Sequence, residues 1–251
     1  MSTYICLTHD VDTVFRSIRE VFARRNRFSK IGILKHLFRI DNLYNNIYKI
    51  CEIEDTYKLR STFFIPVNLF PLERISNEIK YLREGGWEIG FHSVIENIQP
   101  FSIIKMSLEF LEEEFSLKIY GVRSHYLRVS SDVIRMYLKL GLIYDSSYRV
   151  ESLETNGVLK LPEGLWEFPI AIMDADVFGR LMLSEEKAWK YITAKIEKLI
   201  KNGYKVITIL FHQESFRMKG GRLYSKLLDW LWEREYTMGS CYNYLKAESL
   251  I

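Results

Sequence analysis

Residues 5–13 read Ile5-Cys6-Leu7-Thr8-His9-Asp10-Val11-Asp12-Thr13. An apolar run with the length of a buried strand stops abruptly at His9, Asp10 and Asp12. Parallel α/β folds place their chemistry at the carboxyl ends of strands, which is where this stop falls. Side chains alternate along extended chain, so Asp10 and Asp12 are expected on one side. Two carboxylates that close repel unless a metal, an arginine or a shared proton relieves them. An Asx-rich turn capping the next helix would also account for the pair. The rest of the chain has to decide.

Outward from this stretch, strand-like and helix-like segments alternate. The strand candidates are Tyr4–Thr8, Ser61–Pro66, Trp87–Phe91, Ile119–Val122, Leu142–Tyr144, Leu165–Ile172 and Lys205–Phe211, with a short one at Tyr236–Met238. Pro71–Glu84 opens on proline and closes at Gly85-Gly86, the start and stop signals of a helix. Phe101–Phe115, Ser130–Leu140, Ser184–Lys201 and Gly221–Trp232 are read the same way, and two helical stretches between Arg27 and Thr56 form a long excursion after the first strand. Turn signals at Asn156-Gly157 and Pro162-Glu163-Gly164 suggest a loop or small hairpin between Tyr148 and Trp166. Alternating units predict a parallel sheet. With no linker or low-complexity tract, the expectation is one α/β domain over residues 1–251, a distorted (β/α)7-type TIM-like barrel with a helical excursion at about 15–57.

Composition narrows the classes further. Of 251 residues, 48% are hydrophobic and 14% aromatic, enough for a sizeable core and against disorder. The 35 basic and 32 acidic residues nearly cancel at +3, so there is no general footprint for nucleic acid. The basic stretch Arg16, Arg19, Arg24, Arg25, Arg27, Lys30, Lys35 is a local exception, read either as a solvated helix face or as a contact for a phosphate-bearing partner. Cys6, Cys51 and Cys241 are sparse and form no CxxC pair, which argues against a disulfide framework or a cysteine zinc site. No apolar run approaches the ~20 residues of a membrane helix and no signal sequence precedes the first strand. The expected compartment is the cytoplasm, without membrane insertion; a homo-oligomer is compatible with the sequence.

Polar residues collect after most strand candidates: Asp10 and Asp12; His92 and Ser93; Arg123, His125 and Tyr126; Asp145; Asp174 and Asp176; His212. Singly, each has a bland explanation as a loop histidine, a rim ion pair or a helix cap. Together at one barrel rim, they outline an active site.

The ordered segments Thr-His-Asp-Val-Asp, Phe-His-Ser, Arg-Ser-His-Tyr, Tyr-Asp-Ser-Ser and Leu-Phe-His resemble the successive motifs of the polysaccharide deacetylases, the NodB-homology or carbohydrate esterase family 4 group. Arg60-Ser-Thr-Phe-Phe-Ile and Trp166-Glu-Phe-Pro add to the likeness, which spans roughly Ile5 to Gln213. The resemblance implies a metal-dependent hydrolase that removes N-acetyl groups from amino sugars. It assigns Asp10 as the base that activates water, and Asp12 and His92 as metal ligands. Arg123 holds the base, His212 protonates the departing amine, and a carboxylate orients that histidine: Asp174, with Asp145 and Asp176 as rivals. The chain departs from the family where a second histidine ligand is expected, because position 96 is Glu96. A carboxylate there can complete a site for zinc or another divalent ion; alternatively the metal is weakly held or absent. His125 stands in place of a proline and either lines the substrate groove or replaces the missing ligand. Tyr126 and Trp166 are candidate sugar-stacking residues, with core packing the competing role.

The leading expectation is therefore a hydrolase of carbon–nitrogen bonds other than peptides, acting on an N-acetylated sugar or glycan conjugate. A ureide or other small-amide hydrolase on the same scaffold, independent of metal, is the second reading. A non-catalytic glycan-binding barrel is the third, since fold alone does not fix function.

Overall fold

The computed structural model describes residues 3–95, 101–218 and 220–251. Strand β1 (Tyr4–Asp10) is followed by three helices, α1 (Ile18–Ala23), α2 (Lys30–Leu37) and α3 (Ile47–Thr56). Then come β2 (Thr62–Ile65), α4 (Ser76–Gly85), β3 (Glu88–Ser93), α5 (Phe101–Phe115), β4 (Gly121–Ser124), α6 (Ser131–Lys139) and β5 (Tyr144–Asp145). The chain continues through β6 (Leu159–Lys160), β7 (Trp166–Glu167), β8 (Ile170–Met173), α7 (Glu185–Lys201), β9 (Val206–Leu210), α8 (Arg222–Trp232), β10 (Thr237–Gly239) and α9 (Cys241–Ala247). Local signals set many boundaries. Ser17 and Glu20 form a capping box on α1, while Ser130, Ser184 and Ser240 cap α6, α7 and α9. Gly86, at φ 81°, ends α4 in the left-handed conformation that glycine adopts without a Cβ penalty.

The strands form one curled sheet in the order β6-β7-β5-β4-β3-β2-β1-β9-β8. Its pairings are parallel except for the β6–β7 hairpin. Along one edge of β1, Tyr4–Cys6 pair with β10 and Thr8–Asp10 pair with β2. The Leu165–Ile172 segment, expected as a single strand, is two strands at opposite ends of the sheet. Pro169 between them has no N–H to continue a ladder, so β7 joins β5 and β8 joins β9. The two ends meet through a bridge between Arg149 and Ile170, where the Ile170 amide donates to the Tyr148 carbonyl at 2.8 Å. The architecture is a distorted TIM-like barrel.

Alternation along the strands sorts the core into two layers. Ile5, Leu7, Phe63 and Ile65 face outward into the main apolar layer under the helices. Cys6, Phe64, Tyr144 and Phe168 face inward, closed below by Cys241, Tyr244 and Leu245 of the α9 segment. All three cysteines are free and buried. Gly121 is required here, since a Cβ would lie 1.9 Å from the Tyr144 ring. His9 also points outward. Its Nε2 lies 3.1 Å from both Glu54 Oε1 and the Tyr224 hydroxyl, and its Nδ1 lies 2.8 Å from the Phe211 carbonyl. Glu54 of α3 also accepts from Trp87 Nε1 at 2.7 Å and Ser61 Oγ at 2.9 Å. This fully buried carboxylate therefore ties α3 to β1 and α8.

Candidate active site

The inward-facing residues stack toward the carboxyl ends of the strands. Arg123 of β4 is fully buried, its guanidinium 4.3 Å above the Phe64 ring. Nε and Nη2 donate to Ser146, at 2.7 Å to its carbonyl and 2.6 Å to its hydroxyl. Nη1 donates to Thr8 Oγ1 at 3.0 Å and to Asp10 Oδ1 at 2.8 Å. Asp10 is thus fixed by a buried cation whose donors reach four oxygens, and it lines the cavity at the rim. The buried carboxylate is thus paired with a buried guanidinium that is itself held in place.

Beside it, three elements converge. His92 of β3 pairs in register with Arg123, and its Nδ1 lies 3.1 Å from the Arg123 carbonyl, which can only accept. Nδ1 therefore carries a hydrogen, and neutral His92 presents a lone pair at Nε2. Nε2 lies 3.0 Å from Asp12 Oδ1 and 3.1 Å from His125 Nδ1, and His125 Nδ1 lies 3.3 Å from the same Asp12 oxygen. Two imidazole nitrogens and a carboxylate oxygen so placed either bind a proton or share a cation. The edges of a zinc tetrahedron with ~2.0–2.1 Å bonds are roughly 3.3 Å, so the spacing and donor set fit a divalent ion with an open fourth position. Burial would raise the Asp12 carboxyl, but the adjoining His125, His92 and His212 rings hold it well below the usual carboxylate range.

Across the cavity stands His212, directly after β9. Its Nδ1 meets Asp174 Oδ1 at 2.6 Å, and its amide donates to Asp174 Oδ2 at 3.1 Å. Asp174 Oδ1 also accepts from the Ala175 amide at 2.7 Å. The ring's Nε2 faces Asp12 Oδ2 at 3.7 Å and Asp10 Oδ2 at 4.0 Å. Burial disfavours the imidazolium, but the Asp174 carboxylate outweighs it and holds the His212 pKa well above its ordinary value. The cavity enclosing these groups measures about 580 Å³ and has an apolar wall that includes Met173, Phe178, Leu183 and Met218.

The remaining candidate residues divide between this site and other parts of the fold. His125 lies with Asp12 and His92 and offers them a ligand atom, whereas Glu96 lies outside the described residues. Asp174 contacts His212; Asp176 instead pairs with Arg149 and Arg180. Asp145 is buried against Glu167, its register partner on β7. Tyr126 lines the cavity, 76% exposed and strained at φ 55°, with its ring against His125 at 3.9 Å. Trp166 does not line this cavity; it is half-buried on β7, where Lys160 lies 5.6 Å from its ring. Glu214, which motif reading passed over, lines the cavity with Oε2 shielded and unpartnered. Burial pushes its carboxyl up to about 8. Its one sequence signal is its position, two residues past a strand-end histidine.

Fold and rim together define the structural class: the chain has the NodB-like fold of the polysaccharide deacetylases and other CE4 proteins. A Mycobacterium smegmatis protein named as a polysaccharide deacetylase superposes with TM-score 0.71 at 18% identity, over 95% of this chain and 87% of that one. Puue allantoinase gives TM-score 0.68 at 12% identity, over 94% and 86%. A CE4 family pseudoenzyme from Bacillus anthracis gives 0.59 at 12%, over 96% and 65%. No protein-family model and no curated protein matches the sequence.

Proposed function

We propose that this chain is a metal-dependent hydrolase that removes an N-acyl group, acetyl in the first instance, from an amino sugar or glycan conjugate. The observation that carries the reading is the convergence of Asp12, His92 and His125, with His212 Nε2 3.7 Å from Asp12 and 4.0 Å from Asp10. Amide hydrolysis needs a nucleophilic water, a stabilised oxyanion and a proton for a poor leaving amine. Asp10, held in place by Arg123, accepts the proton of the attacking water. His212, kept protonated by Asp174, faces the same space and delivers a proton to the departing nitrogen. A divalent ion, zinc by the character of its donors, would lower the pKa of water toward ~7 and polarise the acyl carbonyl. Asp12, His92 and His125 are the residues that would hold it, with Tyr126 beside the bound sugar. Glu214 adds a neutral carboxyl at neutral pH, able to donate a hydrogen bond into the cavity.

The test is acetate release from N-acetylated amino sugars and their conjugates by zinc-reconstituted protein. Asp10→Asn should lower turnover by about 10²–10⁴-fold while retaining the metal. Turnover of allantoin by chelator-treated protein, with no acetate from any sugar, would replace this reading with the ureide one. Loss of metal in Asp10→Asn would overturn the division of base from ligand.

A further inference from the structure

We propose that the α1–α2 excursion docks this protein on an anionic lipid surface, with the mouth of the cavity turned toward the headgroups. The excursion has a small core of its own, in which Val21, Phe28, Leu43 and Tyr44 are buried. Its apolar content exceeds what that core uses. Ile31, Leu34 and Phe38 follow one another at i, i+3 and i+7, one stripe of α2 and its end, and are 70%, 55% and 70% exposed. Ile40 is 72% exposed, Ile18 and Phe22 on α1 are exposed as well, and α2 buries no side chain. Single exposed apolar residues need no explanation, but six within residues 18–40 form a patch of the kind that marks an interaction surface.

Charge identifies what covers it. Residues 16–39 hold eight Lys and Arg side chains and one carboxylate, Glu20, which is engaged by Arg16 and by the cap of α1. Among the described residues, Arg19, Arg24, Arg25, Arg27, Lys30, Lys35 and Arg39 form no salt bridge. The whole chain carries only +3, so the rest of the molecule is net acidic and the basic charge is concentrated here. A second copy of the chain would set one basic patch against another. A nucleic acid would match the cations but offer nothing to an apolar stripe on α2. A bilayer with anionic headgroups presents fixed negative charge over apolar depth, the complement of cations flanking exposed Ile, Leu and Phe. Arg24 and Arg27, between α1 and α2, also line the cavity that holds Asp10 and His212, so docking brings that opening to the headgroup layer. This is interfacial attachment: no described helix is long and apolar enough to cross a membrane.

The test is co-sedimentation of the full chain with vesicles of phosphatidylcholine containing phosphatidylglycerol, and with vesicles of phosphatidylcholine alone. The result is read without turnover and is independent of the hydrolase reading. Binding should require phosphatidylglycerol and weaken with salt. It should fall at least about tenfold in Ile31→Ser/Leu34→Ser/Phe38→Ser and in Arg25→Glu/Lys30→Glu/Lys35→Glu. These positions are exposed and outside the cavity lining, and an unchanged thermal melt will verify folding. Four results would overturn the proposal: no binding to either vesicle, equal binding to both, full binding by the apolar variant, or salt-sensitive capture of a DNA duplex without vesicle binding. Self-association abolished by the apolar variant, again without vesicle binding, would assign the patch to a dimer instead.

Discussion

At the scale of single residues, the rim divides its work by environment. Asp10 and Asp12 lie two positions apart, yet one faces a buried guanidinium and the other two imidazoles. His212 differs from His92 by the partner of its Nδ1, a carboxylate in place of a carbonyl, which is the basis for proposing one as the acid and the other as a ligand. A pH prediction follows. In the proposed mechanism His212 acts protonated, so activity should be lost as pH rises through its pKa, which Asp174 holds high. Asp174→Asn removes the largest raising influence, so the alkaline limb of kcat should move to lower pH while metal content stays constant. An unmoved limb would show that the proton comes from elsewhere. Asp10, Arg123, His92 and His212 were legible in the sequence because each ends a strand-like run. For His125 the sequence left two places open, the substrate groove or the missing ligand position, because the choice depends on how the turn after β4 swings, where Tyr126 and Leu127 both adopt φ 55°.

At the scale of elements, the regular strand–helix alternation was legible and the seam of the barrel was not. Leu165–Ile172 has the composition of one strand; only Pro169 marks the break that sends β7 and β8 toward opposite ends of the sheet. The α9 helix escaped notice because it follows β10 immediately and offers only the Ser240 cap as a signal. The β5–β7 pairing also buries Asp145 beside Glu167, each with one oxygen lacking any other partner. Burial pushes Asp145 up to about 6, and burial with the neighbouring charge holds Glu167 well above its ordinary range. Both are more protonated in the folded chain than in the unfolded one. Their stabilisation is full below the ordinary carboxylate range, ~4, and falls as pH rises, the Asp145 part being lost through about 6 and the Glu167 part at higher pH. Glu167→Gln should flatten this decline, so that the stability difference between about pH 5 and about pH 8 shrinks in denaturant titrations. A steeper decline in the variant would refute the pairing.

At the scale of the whole molecule, the barrel gathers onto one rim residues that are distant in sequence. Asp12 follows β1, His92 lies on β3 and His125 follows β4, so a shared ion would tie these strands together in the folded chain alone. Saturating zinc at about a hundredfold over its dissociation constant should therefore add ~2.7 kcal/mol of stability, removed again by chelator. The reading of the rim as a hydrolase rests on this triad holding a metal. The most direct test is metal content per chain after zinc loading and dialysis, in wild type and in His125→Ala. One zinc per wild-type chain and a loss of most of it in His125→Ala is the predicted result. Full occupancy in His125→Ala, or no zinc retained by wild type, would contradict it.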